Sequence, residues 1–293
     1  MICVTGAGGT VGSEVVRQLR AANTAFRAAY FSKGKADAAR AKGIDAVIID
    51  YSDPNTLRDA FTGCDKLFLL GPGVPNQEEL EINAVNAAKE AGVKHIVKLS
   101  VLDCDKEEYE FGKIHRSVEK SIEASGLEWT FVRPNSFMQN AVTYMGGTIR
   151  SDSAFYTSAE HAKISQVDVR DIAEVAVKAL TESGHEGKVY KLNGPEAITY
   201  EEMATVLSGV LKRPINHVSL PPEHLKAAMV AQGYPEILAD RLLDLERLYR
   251  EGKASSTESD IPAVTGHDPR RFSDYAREAA ATGVFDKGAQ TGA

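Results

Sequence analysis

Apolar and polar positions along the first half of the chain switch repeatedly between two periods. Ile2, Cys3 and Val4 form a short apolar run, a glycine-rich segment follows, and Val15, Val16 and Leu19 then recur at helical spacing. This predicts strand, turn and helix in succession. Further strands are predicted over 26–30, 46–49, 66–70, 95–99 and 129–132, and helices over 35–42, 54–61, 78–91 and 107–124. Asp53 and Pro54 suit the N-cap and first position of the helix over 54–61, and Gly92 and Gly126 suit helix ends. Gly71-Pro72-Gly73 stops the fourth strand and Arg133-Pro134 the sixth. Strands that alternate with helices imply a parallel sheet covered on both faces, with ligands taken at the C-terminal strand ends.

The pattern changes further on. An amphipathic helix over 168–180 and a strand over 188–192 are expected to return to the sheet. The remainder is helical over 199–212, 222–230, 235–250 and 269–281. In the third of these, Leu238, Leu242, Leu245 and Tyr249 form an apolar stripe that reads as core. The segment 252–262 is polar and serine-rich and reads as a mobile loop or linker, and the tail 283–293 lacks a pattern and reads as frayed. The fold class predicted is α/β, a Rossmann-type doubly wound parallel sheet with a smaller, mostly helical C-terminal lobe. Residues 1–150 would form the dinucleotide-binding domain, joined by 164–195, and residues 196–293 the substrate lobe.

Composition narrows the function classes. A net charge of -7 over 293 residues favours neither nucleic acid nor an anionic membrane by bulk charge. No apolar run reaches transmembrane length, and a strand that begins at residue 2 leaves no room for a leader, so a cytoplasmic location is expected. Cys3, Cys64 and Cys104 are an odd number without C-x-x-C spacing, which argues against disulfides and zinc. Cys3 and Cys64 read as packed thiols, and Cys104 as a bystander in a loop. His95, His161, His185, His217, His224 and His267 show no ligand spacing, so no metal is expected.

The glycine segment carries the chemistry. Gly6, Gly9 and Gly12 fall between a strand and a helix, where the backbone can approach a diphosphate and helix N–H groups face it. An acidic residue about 20 positions past such a turn holds the ribose diol of NAD. Here that position is Ser32, followed by Lys33 and Lys35, and the first acid is Asp37, inside the predicted helix. A hydroxyl and ammonium groups suit a 2'-phosphate, so NADP(H) is favoured over NAD(H).

The chain resembles the NmrA-like branch of the atypical short-chain dehydrogenase/reductases. The resemblance rests on VTGAGGTVG (4–12), GVKHIVKLS (92–100), His115 and Glu119 followed by SGLEWTFVRP (125–134), FMQN (137–140), VDVRDIAEVAVKAL (167–180) and TGHDPRRFSDYA (265–276). It implies that Gly6, Gly9, Thr10, Val11 and Gly12 cradle the diphosphate and that Ser32 and Lys33 face the 2'-phosphate. Gly71 and Pro72 would line the adenosine-ribose side. Ser100 and the turn Pro134, Asn135, Ser136, Phe137 would frame the nicotinamide. The branch contains quinone and dye reductases, and also regulators that bind the dinucleotide and catalyse nothing. The resemblance therefore implies an NADPH-dependent oxidoreductase acting on a conjugated small molecule such as a quinone or dye. The alternative is a non-catalytic redox sensor that speaks to a protein partner.

Tyr109-x-x-x-Lys113 matches the Y-x-x-x-K pattern by which many short-chain reductases protonate a carbonyl. Alignment of Ile122–Gly126 with isoflavone-reductase-like chains instead places the active lysine at His115 and the tyrosine at Phe111, which makes the match fortuitous. His115 is then the catalytic candidate, either bonding or protonating an acceptor oxygen or ordering the nicotinamide ribose. Phe137, Met138, Tyr144, Met145 and Phe155 are candidates for the acceptor wall.

Overall fold

The computed structural model describes residues 1–286. Its strands and helices alternate as β1 (Ile2–Val4), α1 (Thr10–Ala21), β2 (Phe26–Tyr30), α2 (Lys33–Arg40), β3 (Ala46–Ile48), α3 (Pro54–Phe61), β4 (Lys66–Leu69), α4 (Gln77–Glu90), β5 (His95–Leu99), α5 (Glu110–Ser125) and β6 (Glu128–Pro134). Asp53 caps α3 by accepting from the Asn55 amide, with Pro54 at the first turn. Gly126 closes α5 in the left-handed region at φ 81°. The chain continues through α6 (Asn140–Thr143), α7 (Gly146–Asp152), β7 (Ala154–Thr157), α8 (Val169–Thr181), β8 (Lys188–Leu192), α9 (Tyr200–Leu211), β9 (Asn216–Ser219), α10 (Pro222–Ala231), α11 (Glu236–Arg250), α12 (Ile261–Thr265) and α13 (Phe272–Ala281).

Two compact units result. The first is Met1–Pro134 with Val169–Lys191 and Asp260–Gly266, and the second is Asn135–Asp168 with Leu192–Ser259 and the described residues from His267 onward. The sheet order is β3-β2-β1-β4-β5-β6-β8, and the pairs from β3 through β6 are parallel. The strand order reverses between β1 and β4, so a crevice for a ligand opens at their C-terminal ends. Helices α3, α4 and α5 cover one face over a core that includes Leu57, Phe61, Leu67, Val85, Ile96 and Phe131. The second unit pairs β7 with β9 in parallel and packs α9 and α13 around Phe155, Met203, Leu207 and Phe272. Thr199 and Glu202 form a reciprocal capping box at the start of α9.

Three expectations are corrected. The first unit ends at Pro134 rather than near residue 150, and it recovers 169–191 and 260–266 rather than 164–195. The Asn135 side chain donates to Asn193 Oδ1 and to the Ala254 carbonyl, both at 2.9 Å, which ties the chain to the second unit immediately after β6. The segment 252–262 is pinned rather than mobile. The Ala254 carbonyl also accepts from the Ser165 amide at 2.9 Å, Glu258 O accepts from Asn193 Nδ2 at 2.6 Å, and Asp260 exchanges two bonds with the Lys191 backbone. Its serines read as loop because the backbone partners come from distant segments. The tail is not frayed from Gly283: Phe285 is buried in the second core, and only 287–293 lie outside the described residues. Cys3 and Cys64 are buried as expected, but so is Cys104, which accompanies Ser100 at 3.4 Å.

Candidate functional site

The turn between β1 and α1 is built by close approach. Gly6 has φ 62°, and a Cβ on it would lie 2.9 Å from the Leu70 side chain. A Cβ on Gly12 would fall 2.1 Å from the Gly6 carbonyl, so only glycine lets the first turn of α1 close on the strand. Gly9 differs. It is exposed, its backbone is extended, and a Cβ there would meet only the Gly6 carbonyl at 3.4 Å. The space in front of Gly9 is open, and α1 begins behind it with no side-chain cap and no acid in its first turn. Thr10 is exposed there, while Val11 and Gly12 are buried against the sheet. Thr5 ties β1 to β4 by donating to the Phe68 carbonyl and accepting from the Leu70 amide. These groups fit a dinucleotide diphosphate, with backbone N–H groups rather than side chains as its donors.

At the end of β2, Ser32 caps α2 by accepting from the Lys35 amide, so this helix begins at Lys33 and not at Lys35. Lys33 is largely exposed and pairs with Asp37 at 2.5 Å, and Arg40 holds the same carboxylate at 2.8 Å. Lys35 lies across the turn, with Nζ 3.4 Å from the Gly8 carbonyl. Asp37 is thus occupied by two cations, and Lys35 adds a further positive charge beside the turn.

Behind the strand ends lies a buried polar cluster. Lys98 and Ser100 share the face of β5 that meets α4 and α5. Lys98 is fully buried, and its Nζ donates to Glu81 Oε2 at 2.5 Å and to the Leu99 carbonyl at 3.0 Å. Glu81 also accepts from Gln77 at 2.7 Å and fills the space beside Gly71, where a Cβ would lie 2.4 Å from its Cγ. His115 is buried, with Nδ1 3.2 Å from Lys98 Nζ and Nε2 3.4 Å from Gln77 Nε2. An ammonium only donates, so Nδ1 presents its lone pair. Burial and the Lys98 charge push the His115 pKa well below its ordinary value and keep the imidazole neutral. A protonated His115 is therefore disfavoured near neutral pH.

One turn along α5, Glu119 is gripped at both oxygens by Arg133, at 3.0 and 2.7 Å, and accepts from Ser100 at 2.7 Å. Burial works against its charge, but Arg133 and Ser100 hold the carboxyl below its ordinary pKa. The Ser100 hydroxyl is thus committed to Glu119. Burial and the Glu119 charge push the Cys104 thiol up to about 12, so it is no nucleophile. Tyr109 is buried and donates to the Leu102 carbonyl at 2.5 Å, and Lys113 pairs with Glu110. Tyr109→Phe is expected to change turnover by less than ~10-fold, below the range for loss of a general acid. Steady-state kcat of the variant checks this, and a fall of 100-fold would restore the Y-x-x-x-K assignment.

The second unit contains a cavity of about 410 Å³. Its wall includes five tyrosines (Tyr144, Tyr156, Tyr200, Tyr234 and Tyr249), with Met145 and Met229. Ser136 lines it too, and Asn135 orients that segment by accepting from the Ser136 amide at 2.8 Å. Of the five candidates for the acceptor wall, Tyr144 and Met145 line the cavity, whereas Met138 and Phe155 are packed in the core and Phe137 bridges to Val167. Leu242, Leu245 and Tyr249 of the α11 stripe face this cavity, and Leu245 and Tyr249 also pack into the core.

Residues 6–183 match the family described as NAD(P)H-binding. The chain belongs to this NAD(P)H-binding family. It is 38% identical to an NAD(P)H azoreductase of Xenophilus azovorans over 96% of this chain and 98% of that one. Among solved structures it is similar to the NADPH-dependent quinone oxidoreductase QOR2 of Escherichia coli complexed with NADPH. There the TM-score is 0.85 at 29% identity, covering 96% of this chain and all of that one. It is also similar to the Citrobacter sp. triphenylmethane reductase complexed with NADP(H), with a TM-score of 0.82 at 27% identity over 95% and 99% of the two chains. As a member of the NAD(P)H-binding family, the chain is an NAD(P)H-dependent oxidoreductase with a Rossmann-type fold. No helix among its described residues is long and apolar enough to cross a membrane.

In this NAD(P)H-binding chain, Lys98, Glu81 and Gln77 were not singled out from sequence, and neither were Glu119 and Arg133 as an ion pair. One signal was available. Lys98 places a charge inside a fully buried strand, and Gln77/Glu81 and His115/Glu119 each place two polar groups four apart on a buried helix face.

Proposed function

We propose that this oxidoreductase transfers hydride from NADPH to a conjugated small molecule such as a quinone or dye, and that the acceptor occupies the tyrosine-lined cavity of the second unit. The carrying observation is that cavity: about 410 Å³ of space with an aromatic and thioether wall, a size and surface suited to a flat ring system. The azoreductase, quinone oxidoreductase and triphenylmethane reductase relatives support the acceptor class. Bound NADPH supplies the hydride, and the protein supplies binding and orientation. Gly6, Gly9, Thr10, Val11 and Gly12 take the diphosphate. Ser32 and Lys33 take the adenosine 2'-phosphate, and Gly71 and Pro72 border the adenosine ribose. Ser100 and the 134–137 turn shape the nicotinamide side, where His115, held neutral, is a positioning residue that acts through Lys98 and Gln77.

Steady-state NADPH oxidation with a panel of quinones and dyes tests this reading, and absence of turnover across the panel would overturn it. The cofactor assignment has its own test. Hydrogen bonds to a charged group contribute about 1.5–3 kcal/mol, or about 10- to 150-fold in affinity. Lys33→Glu is expected to weaken NADPH by at least that factor and NADH much less. Titration of both cofactors reads this, and equal losses would remove Lys33 from the 2'-phosphate site.

A further inference from the structure

The lining of the cavity is one-sided in charge. Among the described residues it contains no lysine, arginine or histidine, but it does contain two carboxylic acids, Glu246 and Asp152. Glu246 belongs to α11, and its Oε2 accepts from the amide and the hydroxyl of Ser158 at 2.6 and 2.5 Å. The nearest cation, Arg250, does not reach the carboxylate directly. It donates to the Ser158 carbonyl at 2.5 Å and to the Ser158 hydroxyl at 3.2 Å. Oε2 is thus fixed by Ser158, and no hydrogen bond to Oε1 is seen among the described residues. Burial raises the carboxyl above its ordinary pKa, and Ser158 and Arg250 oppose that rise. Asp152 sits exposed at the end of α7, with no ion-pair partner among the described residues.

The tyrosines reinforce the sign. Burial raises the phenol pKa of Tyr200 and Tyr249, so these rings stay neutral and add uncharged π surface to the wall. A cationic ring system entering this space meets π faces and a carboxylate. A sulfonate, carboxylate or phosphate meets the same carboxylate with no cation among the described lining residues to pair with, at a large desolvation cost.

From this juxtaposition we propose that Glu246 is the specificity-determining residue of the acceptor cavity, selecting aromatic acceptors that carry a cationic or N–H-bearing nitrogen and rejecting anionic ones. The proposal rests on the cavity's being the acceptor site. It also fits the proton donors in the chain. Tyr109 is committed to Leu102 and His115 is held neutral, so neither is poised to supply a proton. A delocalised cation needs none. It accepts a hydride, one C–H bond forms as the nicotinamide C–H bond breaks, and the product is neutral. That product has lost its attraction to Glu246, which favours release.

The test uses the intact protein and three acceptors: a cationic triarylmethane dye, its sulfonated analogue and a neutral quinone. Equilibrium dialysis of each dye is run beside steady-state NADPH oxidation. Wild type is expected to bind the cation at least about tenfold more tightly than the sulfonate and to show the same preference in kcat/KM. Glu246→Gln should lower the cation-to-quinone ratio of kcat/KM by at least about tenfold, chiefly through KM, and Glu246→Asp should restore part of it. Thermal melting reports whether each variant is folded. Should Glu246→Gln fail to fold, Asp152→Asn and the wild-type dialysis ratio decide the question. Equal binding of the two dyes by wild type, or a Glu246→Gln ratio unchanged from wild type, would overturn the proposal. Absence of turnover with selective dye binding would overturn the reductase reading and leave the charge selection standing.

Discussion

Gly9→Val is expected to abolish measurable NADPH binding while the protein stays folded. The two halves of this result come from different features of one residue. The Gly9 backbone is extended, at φ -94° and ψ 178°, which valine adopts without strain. A Cβ there meets only the Gly6 carbonyl, at 3.4 Å, so the turn itself tolerates the side chain. The two added methyl groups extend into the open space before the uncapped start of α1, where the diphosphate must approach the backbone. A loss of at least ~100-fold in affinity, equivalent to ~2.7 kcal/mol, is expected by calorimetric titration. Circular dichroism and melting temperature should remain near wild type. Gly12→Ala is the contrasting control. Its Cβ would fall 2.1 Å from the Gly6 carbonyl, so this variant should lose stability as well as cofactor. Near-native NADPH affinity in folded Gly9→Val would place the phosphates elsewhere.

The contrast between Gly9 and Gly12 also shows how far a sequence can be read. The periodicity that predicts strand, turn and helix locates both glycines, but not which one closes the turn and which leaves space. Elements stated by local chemistry were legible to the residue. Helix α3 begins where Asp53 and Pro54 place it, and β2, β5 and β8 occupy their predicted spans. Strands β7 and β9 were not legible. Each is four residues long, and each exists because it pairs with a partner some sixty positions away rather than through an apolar run of its own.

The candidate site divides in the same way. The strand, glycine turn and helix around Gly6, Gly9 and Gly12 were legible because a turn is local, whereas the sequence pattern starts the next helix at Lys35 and the Ser32 cap emerges only from the structure. The cavity was not legible, because its wall comes from α6, α7, β7, α9, α10 and α11. The α11 stripe identifies the inward face of that helix. Whether Leu242, Leu245 and Tyr249 meet packed atoms or a void depends on every other element of the unit. Met138 and Phe155 have the same composition signal as Tyr144 and Met145, and only packing separates the two pairs.

The buried pair of Lys98 and Glu81 carries the other large effect. Removing one charge, as in Lys98→Met or Glu81→Leu, leaves its partner buried without compensation and is expected to cost about 3–5 kcal/mol of stability. Gln77 still donates to Glu81 in the first variant, and the Leu99 carbonyl still accepts from Lys98 in the second, but neither supplies a counter-charge. The double variant Glu81→Leu/Lys98→Met replaces both charges by apolar groups and should lose much less than the sum of the single losses. The chain has one tryptophan, Trp129, stacked on Phe131 at 4.2 Å within the first unit, so its fluorescence in a urea titration reports on the unit that holds the pair. A second readout separates electrostatics from packing. Burial and Lys98 both depress the His115 pKa, so Lys98→Met should raise it by removing the second cause, and an NMR titration of the imidazole would show the rise. Additive losses in the double variant, with an unmoved His115 titration, would mean that Lys98 and Glu81 act through shape alone. A strong coupling with a raised His115 pKa would mean that the charge of Lys98 keeps His115 neutral behind the strand ends.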